Sequence, residues 1–164
     1  MNIYDFAIQM EKDGEAYYRE LGRKSKAEGL QFIFSILADE EVSHYTILEK
    51  MKASAPNLKL SAKEKDILKS AKNIFAEMQE KMDEINFDLP QVDFYRHALE
   101  TEEKSIEYYL DMSEKVENEA HQAIFLNLAK EEKKHKFLME NLITFVSRPT
   151  TWLEDAEFNH LDEY

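Results

Sequence analysis

The 164-residue chain contains no cysteine. That excludes disulfides, thiolate metal sites, iron–sulfur clusters and cysteine nucleophiles. It has only three glycines and three prolines, far below the usual combined share of roughly 12%. Sandwiches, barrels and doubly wound folds need more turn residues than this, so those classes fall away. Positive charge is scarce too: 21 Lys and Arg against 34 Asp and Glu, a formal net charge of −13. A surface of that sign has no general affinity for nucleic acid or anionic membranes. No stretch approaches the roughly 18 consecutive apolar residues of a membrane span. Residues 1–21 mix charged and apolar side chains without the core of a signal peptide. The expectation is a soluble, cytoplasmic protein with no nucleic-acid or membrane partner.

What is present suits amphipathic helices, with 43% hydrophobic and 34% charged residues. Ile3, Ala7, Met10, Gly14, Tyr17 and Leu21 step by four and three, the rhythm of a packed helix over about residues 2–25. A second helix is expected to about Ala53, with Phe32, Ile33, Leu37, Val42, Ile47, Leu48 and Met51 on its inner side, and residues 54–57 break it. Ile67, Ala71, Ile74, Met78 and Ile85 mark a further amphipathic segment before Pro90. Third and fourth helices are expected over 91–116 and 119–146, with Pro149 closing the last.

The fold class is therefore all-α, a four-helix bundle of two helical hairpins. A long crossover over residues 54–90 joins them and contains an extra helix. Residues 1–148 form one domain, and residues 149–164 are an acidic tail. Its Trp152, Phe158, Leu161 and Tyr164 would dock on the bundle or on a partner subunit. The tail and the 60–85 segment both carry apolar faces that need burial, so a homodimer is expected.

Adding 91 to a position in the first half repeatedly finds the same kind of residue in the second. Tyr4 maps to Tyr95, Glu11 to Glu102, Tyr17 to Tyr108 and Tyr18 to Tyr109. Phe34, Leu37, Ala38, Glu40, Glu41 and His44 map to Phe125, Leu128, Ala129, Glu131, Glu132 and His135. An offset without gaps over both helices of each hairpin reads as an internal duplication, with the hairpins related by an approximate two-fold axis.

The repeated polar residues have a chemical pattern. Glu41 with His44, and Glu132 with His135, are both Glu-x-x-His. Three residues turn a helix by about 300°, leaving the two side chains about 60° apart and nearly one turn along. Glu11 and Glu102 lie beside the apolar seam, where an unpaired carboxylate is costly. One Glu from each of two helices and one Glu-x-x-His from each of the others is the donor set of a dimetal carboxylate site in a bundle core. Oxygen and imidazole donors without thiolate suit iron or manganese, with zinc as a competitor.

Glu-x-x-His alone is a frequent coincidence. The third copy, Glu157 with His160, has no mirrored partner and is read as chance. The rival reading is a solvated face plus interior polar residues retained by duplication, and it must explain six donors and four tyrosines at equivalent positions. His97 and His121 lack a Glu three residues earlier and are read as non-ligating. Glu40, Glu131 and Glu103 read as solvated charges or neighbours of the site, and Tyr17 and Tyr108 as core aromatics. Gly14 and Ser105 are equivalent small residues that either leave space beside Glu11 and Glu102 or allow close helix packing.

The run Phe6-Ala7-Ile8-Gln9-Met10-Glu11 to Tyr18, the run from Ala98 through Glu102 to Tyr109, and the two Glu-x-x-His helices resemble the rubrerythrin branch of the ferritin-like superfamily. The resemblance covers about residues 2–147 and implies a di-iron four-helix bundle. It implies Glu11 and Glu102 as terminal carboxylates, Glu41 and Glu132 as bridging ones, and His44 and His135 as one imidazole per iron. Tyr18 and Tyr109 would donate hydrogen bonds that orient the carboxylates.

Two departures stand out. The family's rubredoxin-like domain needs cysteines, so electrons must come from a separate rubredoxin-like donor. Its additional carboxylate three residues after Glu102 is here Ser105, which implies a symmetric six-ligand site, with Glu100 and Glu103 nearby. The implied activity is reduction of hydrogen peroxide at two irons in oxidative-stress defence, with oxygen the slower oxidant. A ferroxidase, another dimetal oxidase and a metal-stabilised helical interaction module are the alternatives.

Overall fold

A computed structural model describes residues 2–53 and 92–147. They form four helices: α1 (Ile3–Lys24), α2 (Glu28–Lys52), α3 (Val92–Lys115) and α4 (Glu119–Ser147). Each lies within a residue or so of the bounds expected from periodicity. The crossover with its extra helix and the tail, including Glu157 and His160, lie outside the described residues.

Local chemistry fixes the helix ends. Asn2 caps α1, its Oδ1 accepting the Asp5 N–H at 2.8 Å, and Asn118 accepts the His121 N–H at 3.1 Å at the start of α4. Both hairpin turns close in the same way. Gln31 Nε2 donates to the Ser25 carbonyl at 2.6 Å, and Gln122 Nε2 to the Val116 carbonyl at 2.7 Å. Gln31 and Gln122 are 91 residues apart, as are Ser25 and Val116, so the duplication extends to the turns.

Helices α1 and α2 pack closely, as do α3 and α4, while α1–α3 and α2–α4 meet along sparser seams. Tyrosines stitch the hairpins together. Tyr17 donates to the Phe94 carbonyl at 2.8 Å and Tyr108 to the Ile3 carbonyl at 2.7 Å, a pair related by the same offset. Both rings are only half-buried, so these residues are cross-hairpin clasps and not the core aromatics expected.

The apolar core falls into two clusters. One gathers Leu21, Ile33, Phe34, Leu37, Ala38, Leu138, Met139 and Phe145. The other holds Ala7, Leu48, Met51, Met112, Ile124, Phe125, Leu128 and Ala129. Most members of the second are the 91-offset images of members of the first. Among the described residues no helix is long and apolar enough to cross a membrane.

Candidate metal centre

Six of the buried polar side chains gather at one place between the apolar clusters: Glu11, Glu41, His44, Glu102, Glu132 and His135, none more than 4% exposed. Each helix contributes, α1 and α3 one carboxylate apiece and α2 and α4 one Glu-x-x-His apiece. His44 Nδ1 lies 3.2 Å from Glu11 Oε2 and 3.0 Å from Glu132 Oε1. His135 Nδ1 lies 3.2 Å from Glu41 Oε1, 3.4 Å from Glu132 Oε2 and 3.6 Å from Glu102 Oε1. The imidazoles face one another, nearly parallel, with centroids 5.5 Å apart.

The donors sort into two overlapping sets. Glu11, Glu41, His44 and Glu132 can place one ligand atom each within 4.8 Å of one another, and so can Glu41, Glu102, Glu132 and His135. Glu41 and Glu132 are common to both sets. Each set adds one private carboxylate and one imidazole.

Tyrosine contacts repeat the exchange between hairpins. Tyr18 donates to Glu102 Oε1 and Tyr109 to Glu11 Oε1, so each hairpin's tyrosine holds the other's carboxylate. Burial, with the adjacent Glu102 and Glu11 charges respectively, pushes both phenols well above 10, so they remain donors.

Electrostatics in the core divide the carboxylates. Burial and the charges of Glu11 and Glu132 push Glu41 well up, while burial and the charges of Glu102 and Glu11 do the same to Glu132. For Glu11 and Glu102 burial alone would raise the pKa. The His44 charge and hydrogen bonds outweigh it at Glu11, and a hydrogen bond from Glu132 with the nearby His135 charge does so at Glu102, so both are lowered. Burial alone would lower the histidines, but Glu11 and Glu132 push His44 well above 6.5, and Glu102 does so for His135. A site built this way retains protons on its histidines and shared carboxylates until something else takes their place.

The donor chemistry fits divalent metal ions. Glu41 Oε1, Glu132 Oε2 and both ring nitrogens of His135 make no hydrogen bond although they are buried. Orphaned atoms of that kind are rare in a packed interior unless a ligand engages them. Four carboxylates match the charge of two divalent cations, and oxygen with imidazole suits iron, manganese or zinc.

The structure also places the other residues singled out in the sequence. Glu40 and Glu131 are 6% and 5% exposed and group with His44, so of their two readings the one as neighbours of the site holds. Glu131 Oε2 touches His44 Nε2, on the opposite edge of the ring from Glu132. The offset already paired Glu40 with Glu131, which was the signal for their burial. Glu100 and Glu103 are exposed, and Glu103 lies 3.7 Å from Lys136, so neither joins the six. His121 is buried with its Nδ1 2.6 Å from the Tyr4 hydroxyl, and exposed His97 lies edge-on to Tyr17. Gly14 makes room for a shared carboxylate, since a Cβ there would lie 3.0 Å from Glu41 Oε2. The space expected beside Glu11 thus serves Glu41.

Comparison with known proteins agrees with this architecture. The rubrerythrin family profile matches residues 2–143. A solved structure of a hypothetical protein from Pyrococcus furiosus superposes with a TM-score of 0.63 at 21% identity, covering 88% of each chain. That likeness shows the fold. No curated protein matches the chain.

Proposed function

The chain belongs to the rubrerythrin family, and we propose that its buried cluster holds two iron ions and reduces hydrogen peroxide to water. The observation that carries this reading is the pair of overlapping donor sets sharing Glu41 and Glu132. In it Glu11 with His44 would hold one ion and Glu102 with His135 the other, and Glu41 and Glu132, common to both sets, would serve both. Manganese or zinc can occupy the same donors. Two iron(II) ions would supply the two electrons that, with two protons from solvent, convert hydrogen peroxide into two waters.

The chain's own part is to organise that chemistry. The two apolar clusters keep bulk water from the donors, which strengthens every charge interaction among them. Tyr18 and Tyr109 keep their own protons, donate hydrogen bonds to Glu102 and Glu11, and fix the orientation of those carboxylates. Glu131 holds the far edge of the His44 ring. These 164 residues contain no cysteine, so in this reading the electrons would reach the site from a rubredoxin-type donor outside them.

Stopped-flow mixing of the anaerobic iron(II)-loaded chain with one equivalent of hydrogen peroxide tests the proposal. The expected result is two irons oxidised per chain, faster than with oxygen, and turnover when a rubredoxin is added. Oxidation of iron well beyond two per chain without a donor would replace it with a ferroxidase. Binding without oxidation would reduce it to a metal-stabilised bundle.

A further inference from the structure

A cavity of about 140 Å³ opens between α1 and α3 and ends on the Glu41 and Glu102 carboxylates. Met10, Tyr17, Ala98 and Thr101 form its walls, which are mainly apolar, and His97 stands at its edge. Gly14 and Ser105, equivalent across the duplication, also line it. Both are small residues inside helices, and glycine there costs about 0.5–1 kcal/mol relative to alanine. The cavity volume is the telling quantity. An engineered protein cavity of about 150 Å³ accommodates benzene, with six carbons. Hydrogen peroxide has two heavy atoms and leaves most of such a space unused.

The lining also narrows the chemistry. Its ionisable groups at the inner end are carboxylates, and Asp13 adds another. No Lys or Arg lines it, so an anionic group on the body of a ligand would find no cationic side chain along the walls to pair with. An uncharged molecule with a short apolar body and one oxygen-bearing end fits both the walls and the floor.

We infer that this cavity binds the alkyl group of a short-chain alkyl hydroperoxide, of about six heavy atoms, with its O–O end at Glu41 and Glu102. The inference rests on the peroxide-reducing reading and adds a substrate class to it. The reaction balances as ROOH + 2 e⁻ + 2 H⁺ → ROH + H₂O. The O–O bond breaks, two O–H bonds form, and two one-electron transfers from the external donor protein supply the electrons. The protons come from solvent.

Two measurements on the full chain test this. The first titrates the metal-free protein with tert-butanol and follows methyl NMR signals. Saturable shifts confined to Met10, Ala98 and Thr101, and lost at Met10 and Ala98 in Thr101→Phe, are expected. The second compares oxidation of the iron(II)-loaded protein by tert-butyl hydroperoxide and by hydrogen peroxide. Filling the cavity with Thr101→Phe should lower the ratio of the two rates about tenfold or more, the scale of excluding a few methyl groups from a pocket. Thr101→Leu should give an intermediate ratio and serves if the larger ring prevents folding. Unmoved methyl signals, or a ratio that both variants leave intact, overturn the inference. If neither peroxide oxidises the loaded protein, the peroxide reading itself has failed, and the tert-butanol titration alone decides whether the cavity takes an alkyl ligand.

Discussion

The two hairpins are alike where they face the buried carboxylates and differ where α1 and α3 face the cavity. Glu11, Tyr18, Glu40, Glu41 and His44 recur unchanged as Glu102, Tyr109, Glu131, Glu132 and His135. Around the cavity, Met10 is matched by Thr101, Gly14 by Ser105, and Asp13 by Lys104. The ring packed against the clasp tyrosine changes as well, Phe6 tilted against Tyr108 in one case and His97 edge-on to Tyr17 in the other. A pair of equal metal positions needs both halves to supply the same donors. The cavity draws different residues from the two halves, and there the duplicated sequence has diverged.

The largest expected effect comes from breaking the shared layer. Glu41→Ala or Glu132→Ala removes a donor common to both sets, and each should lower metal content from two ions per chain to one or fewer by elemental analysis. Equal losses would show that the halves contribute equally. Retention of two ions in either variant would remove that residue from the bridging role.

Metal removal should reveal the protonation of the core. In the metal-free chain, Glu41, Glu132, His44 and His135 have raised folded-state pKa values, so the folded state holds protons the unfolded state has released. Their contribution is present below the unfolded values, about 4.3 for Glu and 6.5 for His, and is lost as pH rises towards the folded ones. Glu11 and Glu102, with lowered values, act oppositely and lose their contribution in acid. The metal-free chain should thus melt at a lower temperature at pH 9 than at pH 6.5. Metal affinity should move the other way, rising with pH, because binding expels those protons. At a free metal concentration of 1,000 times Kd, binding adds about 4 kcal/mol of stability. Thermal melts with and without manganese across pH measure both slopes.

Glu131→Gln should weaken metal binding by about 10- to 100-fold, since it loosens the partner that holds His44 from behind. Tyr18→Phe and Tyr109→Phe should weaken it on the same scale and by matching amounts, because their contacts are related by the two-fold. A calorimetric titration of the three variants separates a shared layer from one that only looks symmetric. The smallest effect belongs to the clasps. Tyr17→Phe and Tyr108→Phe each lose one hydrogen bond to a carbonyl of the other hairpin, about 0.5–1.5 kcal/mol by denaturant unfolding.

Much of this was legible in the chain because duplication makes coincidence visible. The helix bounds followed from apolar spacing, and the six donors from an offset that returned Glu-x-x-His twice. Periodicity alone could not give what depends on the third dimension. Glu131 is adjacent in sequence to Glu132, yet the two meet opposite edges of the same His44 ring. Only the approach of α4 to α2 brings that about. Tyr17 and Tyr108 have the spacing of core residues, but their hydroxyls reach a carbonyl across a seam between hairpins. Gly14 looked like relief for Glu11 on its own helix, whereas the atom it accommodates belongs to Glu41 on the next.

Anomalous diffraction from crystals of the iron-loaded chain tests the central claim most directly. Two peaks are predicted, both contacting Glu41 and Glu132, one beside Glu11 and His44 and the other beside Glu102 and His135. A single peak, or a peak among the other buried donor group of Glu40, His44 and Glu131, would contradict it.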